Sequence, residues 1–231
     1  MSRVLTATRI QLITWPALVG WPWGIVGSSF LINLALFSAI GDDIPDGPQT
    51  GGLLSIYVVL MVSAGQSITQ FFSFSLGLSL TRRTFYAATS LLVVAESLVF
   101  GVLIYLLKLV ERATDGWGIS MRFFGLSFMN SDNPLAQIVI YTVPFVVLGY
   151  FGICAALVHK RWGMGGLYLV SIALLFLFGL LGVLVTWQRW WPAVGQWFAD
   201  QSPLSLFAGW PALLAVALAT VGLLTIRRAT A

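Results

Sequence analysis

Side chains able to do chemistry are sparse, and the densest pattern lies along one apolar run. Ser63, Gln66, Ser67, Gln70, Ser73 and Gly77 recur among Val, Ile, Leu, Met and Phe. At about 100° per residue they fall within about 120° of one helix face. Polar side chains in hydrocarbon need partners, so this stripe is expected to face either neighbouring helices, as hydrogen-bonding glue, or a wet pathway that it lines. A second candidate is Glu96, in Leu91-Leu92-Val93-Val94-Ala95-Glu96-Ser97-Leu98-Val99-Phe100. It lies about 18 Å of helix from Lys108 at 1.5 Å per residue, too deep to reach water by extending its side chain. An ionised carboxylate there is costly, so Glu96 is expected to carry its proton or to find a hydrogen-bond partner, with Gln66, Gln70, Tyr141 and Tyr150 as candidates. Its two readings are a relay for protons or cations, or a gate element, and a neutral packing residue.

Several chemistries have no residues to run them. An ATP-driven motor needs a loop of the pattern GxxxxGK followed by Ser or Thr. The only lysines, Lys108 and Lys160, follow no such loop. His159 is the only histidine, in a basic turn where a solvated role is expected, and Cys154 the only cysteine, expected to be a small buried hydrophobe. No disulfide, metal cluster or histidine-based active site can be assembled from them. Gly163-Met164-Gly165-Gly166 follows no strand, so it is not a dinucleotide loop. The chain is therefore expected to bind no cofactor or metal and to have no catalytic residues of its own. The net charge of +4 comes from basic residues scattered between apolar runs, not from one basic face, so nucleic acid is not an expected partner.

The elements that must carry these residues are membrane spans. Hydrophobic residues make up 58% of the 231 positions and charged ones 9%, against about 25% charged in soluble domains. Apolar spans fall near 20–40, 53–75, 88–107, 136–158, 165–187 and 205–226. The reading is an all-α integral membrane protein, one domain of six transmembrane helices with no nucleotide-binding domain. An even number of crossings places both termini on one side. With that side cytoplasmic, Arg3, Arg9, Arg82, Arg83, Lys160, Arg161, Arg227 and Arg228 are inside and Lys108, Arg112, Arg122 and Arg189 outside, the asymmetry that the positive-inside rule asks for. Asp42, Asp43, Asp46, Glu111, Asp115, Asp132 and Asp200 then fall outside.

Tryptophan prefers headgroup depth. Trp15, Trp21, Trp23 and Trp162 fall at cytoplasmic span ends, and Trp117, Trp187, Trp190, Trp191, Trp197 and Trp210 at or beyond external ends. Residues 1–19 mix Arg3, Thr6, Arg9 and Gln11 with Val4, Leu5, Ile10 and Leu12 and precede Pro22. They are expected to form a helix lying in the cytoplasmic interface, since Pro16 and Pro22 disfavour one unbroken helix from Arg9 to Ile40. Pro144 interrupts the fourth span, and the proline-bearing stretch Trp187 to Leu204 is expected to form short external helices between spans five and six.

This layout resembles the permease subunits of ATP-binding-cassette exporters of the ABC-2 type. The connection Ser75-Leu76-Gly77-Leu78-Ser79-Leu80-Thr81-Arg82-Arg83-Thr84-Phe85-Tyr86 is similar to the Gly-Leu-Ser-x-x-Arg-Arg-x-Phe-Tyr/Phe stretch of small actinobacterial members, where it forms the coupling helix. His159-Lys160-Arg161-Trp162-Gly163 resembles their basic turn between spans four and five. The resemblance covers the whole chain in layout. It implies a half-transporter in a bacterial plasma membrane that forms a homodimer or heterodimer and binds two copies of a separate ATPase, which would hold the ATP and Mg. Ser79, Leu80, Thr81, Arg82, Arg83, Thr84, Phe85 and Tyr86 would dock into that ATPase. The second and fifth spans would border the pathway, giving Ser63, Gln66, Ser67, Gln70 and Ser73 a lining role for an amphipathic cargo such as a drug, antimicrobial peptide or lipid. Competing readings are a proton-coupled secondary transporter using Glu96, and a membrane scaffold or immunity protein that transports nothing.

Overall fold

In a computed structural model of the chain, residue 8 and residues 15–40, 49–77 and 80–226 are described. Five helices are long and apolar enough to cross a membrane: α1 (Trp15–Ile40), α2 (Leu54–Gly77), α3 (Arg82–Ala113), α4 (Pro134–Trp187) and α6 (Trp210–Ile226, which a wider helical turn at Ser205–Gly209 extends). A short helix α5 (Trp191–Asp200) stands between α4 and α6. Lipid offers no hydrogen-bond partners, so long apolar runs of Leu, Val, Ala and Phe must close their backbone bonds within the segment, which only a helix does without a partner.

Capping side chains set the ends of α3 and α4. Thr81 Oγ1 accepts from the Thr84 N–H at 3.2 Å at the start of α3. Asn133 Oδ1 accepts from Leu135 and Ala136 N–H, with Pro134 in the first turn, where its missing N–H costs nothing. Both helices overrun the expected spans. Window averaging stops at the charged and polar ends, so 88–107 became 82–113. Pro22 and Pro144 sit inside α1 and α4, and neither ends its helix, so the interruption expected at Pro144 is absent.

The expected spans 136–158 and 165–187 lie in the two helical arms of α4, 54 residues in all, which meet at a kink. The helix is broken only at Gly163, whose φ of 67° and ψ of −160° lie in a region essentially reserved for glycine. The expected turn at 159–163 is therefore helical up to that single residue. Of the interfacial helix expected over 1–19, residues 1–7 and 9–14 lie outside the described residues, and 15–19 belong to α1.

The first half of α4 is the hub of the bundle. Gln137, Ile140, Tyr141, Phe145, Gly149, Tyr150, Gly152, Ile153, Ala156 and Leu157 are buried, the three-and-four spacing of one helix face. They meet α2, α3 and α6 in two apolar clusters. Tyr57 stacks on Phe145 at 3.9 Å and Phe100 meets Phe145 edge-on. Close approach depends on missing side chains. A Cβ on Gly65 would stand 3.1 Å from the Gly152 carbonyl oxygen, one on Gly152 would overlap the Met61 carbonyl oxygen, and one on Gly101 would overlap Thr142 Oγ1. Small residues at helix crossings are the usual device of membrane bundles.

By contrast, beyond Gly163 α4 is apolar all round and has no buried residue, and Trp187 is 82% exposed. Trp23, four residues into the apolar span Val19–Ile40, meets Phe100 edge-on at 5.6 Å.

Candidate functional site

The residues of the expected polar stripe lie on α2. Ser63, Gln66, Ser67 and Gln70 line a groove of about 370 Å³ against Trp21, Pro22 and Ile25 of α1. Gln66 also borders a second groove of about 350 Å³ between α2 and α4. The Ser67 hydroxyl donates back to the Ser63 carbonyl at 3.1 Å, so its bond is closed within its own helix. Gln66 and Gln70 are exposed, so their amides are the groups that can meet something outside the helix. Ser73 stands apart at the end of α2, where its hydroxyl accepts from Lys160 Nζ at 3.3 Å.

Glu96 lies mid-way along α3 and lines neither groove. Its Oε1 is buried with no hydrogen-bond partner. Of the partners expected for it, Tyr141 donates instead to the Phe124 carbonyl at 2.6 Å. The hydroxyls of Ser90 and Ser97 on the same helix, and of Thr142 on α4, are likewise buried without partners. His159 also departs from expectation. It borders the α2–α4 groove with its Nδ1 buried and unpartnered, so it is no solvated turn residue.

The segment 79–86 divides in two. Ser79 lies outside the described residues. Leu80, Thr81, Arg82, Arg83 and Thr84 are exposed or half-buried at the start of α3, whereas Phe85 and Tyr86 are core. Phe85 meets Phe72 of α2 at 5.5 Å, and the Tyr86 hydroxyl donates to the Ala219 carbonyl of α6 at 2.6 Å. Two side chains read as docking surface are thus anchors that join this turn to α2 and α6.

At the opposite end of α3 is a constellation that sequence reasoning missed. Glu111, 4% exposed, turns its carboxylate into the connection to α4. Oε2 accepts from Trp117 Nε1 at 3.1 Å and from the Phe123 and Phe124 N–H groups at 2.9 Å, and Oε1 from the Gly125 N–H at 2.8 Å. Lys108 donates to Asn130 Oδ1 at 2.6 Å and Gln137 Oε1 at 2.8 Å. Gln137, fully buried, also accepts from the Ser131 N–H and donates to the Met129 carbonyl. These bonds fold residues 114–133 over the end of the bundle, where Phe30 packs edge-on against Trp117 and Phe123. The segment carries strain: Asp115, Trp117 and Ser120 all have positive φ. Such conformations persist only where surrounding bonds over-determine them. Sequence reading placed Glu111 among the external acids. The available signal was the cluster Asp115-Gly116-Trp117-Gly118, whose glycines permit the turn that brings the loop back to the carboxylate.

Chemically, the arrangement offers an amide-lined groove, a carboxyl group in a span with one buried oxygen unpartnered, and a tightly tied cap. No group of three or more His, Cys, Asp or Glu able to hold a metal occurs among the described residues. No protein-family model, curated protein or solved structure matches the chain.

Proposed function

We propose that the chain is the membrane-spanning permease subunit of an ATP-driven exporter of the ABC-2 type, working as a dimer with two copies of a separate ATPase in a bacterial plasma membrane. The observation that carries this reading is the groove between α1 and α2, lined by Ser63, Gln66, Ser67 and Gln70. Amides exposed on a membrane helix are costly unless they meet partners or water. A stripe of them along one wall, facing Trp21 and Ile25 on the other, suits an amphipathic cargo such as a drug, peptide or lipid.

The chain crosses six times in this account, with both termini cytoplasmic. α4 is more than twice as long as a hydrocarbon core of about 30 Å is thick, and the break at Gly163 leaves two lengths that each exceed the roughly 20 residues a crossing needs. Arg82, Arg83, Lys160 and Arg161 then share the cytoplasmic end, as the positive-inside rule favours, and α5 is external.

The ATPase docks on Leu80, Thr81, Arg82, Arg83 and Thr84. Phe85 and Tyr86 transmit the push, because any tilt of this turn pulls on Phe72 in α2 and, through the Tyr86 bond, on Ala219 in α6. The experiment is copurification from native membranes. Arg82→Glu with Arg83→Glu is expected to release the ATPase while leaving the melting transition in place; retention of the ATPase and of coupled export removes the docking assignment.

The buried, unpartnered Glu96 Oε1 supports a second reading, a proton-coupled secondary transporter. Export by Glu96→Gln in energised vesicles decides it, since wild-type activity eliminates an essential ionisation there.

A further inference from the structure

The tied cap at the end of α3 encloses one side of an open cleft of about 650 Å³, lined by Lys108, Glu111, Arg112, Asp115, Arg122 and Asp132. Charged residues are scarce in this chain, at 9%, yet six of them gather around this one cavity. Its volume is that of a small-molecule site. We propose that the cleft binds a zwitterion that joins a phosphate to a primary ammonium, presented as the headgroup of an ethanolamine phospholipid.

Three observations lead there. Position comes first: the cleft lies where α3 ends and α4 begins, at Ala113 and Pro134, so in a membrane it stands at headgroup depth beside apolar helix faces that acyl chains would cover. Charge comes second. The Glu111 oxygens are occupied by four N–H donors, and Arg122 Nη1 donates to Ser127 Oγ at 3.2 Å, while the side chains of Arg112, Asp115 and Asp132 make no hydrogen bond among the described residues. Lys108 uses two of its three N–H donors on Asn130 and Gln137 and keeps one. The cleft thus presents cationic donors and carboxylate acceptors together with no direct ion pair between them among the described residues, Asp132 and Glu111 acting on Lys108 only at longer range, which matches a ligand of both signs and fits an anion or a cation alone less well. Rigidity comes third. The walls are held by buried Glu111 and Gln137 and by a strained run at 115–120, and a preorganised site loses little entropy on binding.

A phosphate would take Arg112 and Arg122, with the remaining Lys108 donor beneath it. The ammonium would take Asp115 and Asp132. The site requires only that the chain span a membrane and is independent of any partner ATPase.

The test is native mass spectrometry of the full-length, detergent-purified chain titrated separately with phosphatidylethanolamine, phosphatidylglycerol and soluble phosphoethanolamine. The expected result is preferential binding of phosphatidylethanolamine. Arg112→Gln with Arg122→Gln is expected to weaken it by at least about tenfold, the scale of losing one charge-assisted hydrogen bond. Asp115→Asn with Asp132→Asn is expected to weaken it similarly and to abolish the preference over phosphatidylglycerol, and Asp200→Asn, outside the cleft, to change nothing. Glu111 and Lys108 stay intact in every variant so that the cap persists, and the singles Arg112→Gln and Asp132→Asn serve where a double fails to fold. Phosphoethanolamine binding as tightly as the lipid supports the zwitterion site and assigns it to a soluble ligand. Equal binding of the two lipids by the unaltered chain, or binding unchanged in both charge variants, overturns the proposal.

Discussion

Replacing Glu111 by Gln tests the cap most sharply, because the substitution keeps size and shape while removing acceptor capacity. The carboxylate accepts four N–H bonds, three on Oε2 and one on Oε1. Glutamine offers one carbonyl oxygen and an NH₂ group that is itself a donor. With its oxygen turned toward Trp117, Phe123 and Phe124, the NH₂ faces the Gly125 N–H, donor against donor. One backbone N–H then loses its partner, at about 1–3 kcal/mol, and three charge-assisted bonds become neutral ones. Opening of residues 117–125 should become easier by about 2 kcal/mol at least, roughly a 30-fold faster amide exchange for Phe123, Phe124 and Gly125. Hydrogen–deuterium exchange on the chain in nanodiscs reads this directly, and Glu111→Ala should accelerate exchange further. Equal exchange over 117–125 in the unaltered chain and in Glu111→Gln refutes the claim that this carboxylate holds the loop.

Gly152→Ala is expected to force α2 and α4 apart, because its methyl meets the Met61 carbonyl oxygen, and to cost about 1–3 kcal/mol as a lowered thermal transition; Gly179→Ala, in open space, is the neutral control. Gly163→Ala should destabilise by a similar amount through its φ of 67°, while Gly165→Ala should not. Tyr86→Phe removes the 2.6 Å bond to Ala219 and should cost about 1 kcal/mol, read as a drop in the melting temperature of about 2–4 °C. Gln66→Leu with Gln70→Leu should leave that temperature unchanged or raise it while abolishing export, which a vesicle transport assay decides.

The long apolar helices were legible because hydrocarbon permits little else, and the stripe on α2 was legible because period and polarity are both local properties. What escaped the sequence depends on partners distant along the chain. Phe85 and Tyr86 look like the end of a basic turn until Phe72 and Ala219 are seen opposite them. Glu111 looks like a loop acid until the chain turns back through Gly116 and Gly118 to present three backbone N–H groups. Helix ends moved for a simpler reason: Arg82, Arg83, Glu111 and Arg112 lower any hydropathy average while sitting comfortably in a helix. The break between 136–158 and 165–187 is narrower than expected for the same reason, since His159, Lys160 and Arg161 suggest a loop by polarity, and only Gly163 adopts non-helical geometry.

The central claim is that this chain is one half of a two-part machine, and the mass of the intact assembly tests it most directly. Tagged chain extracted from its native membrane should fly as a complex of two permease chains with two copies of an ATPase that carries its own phosphate-binding loop. A chain that emerges only as a monomer or as a dimer with no ATPase, under conditions that preserve other membrane complexes from the same extract, would contradict it.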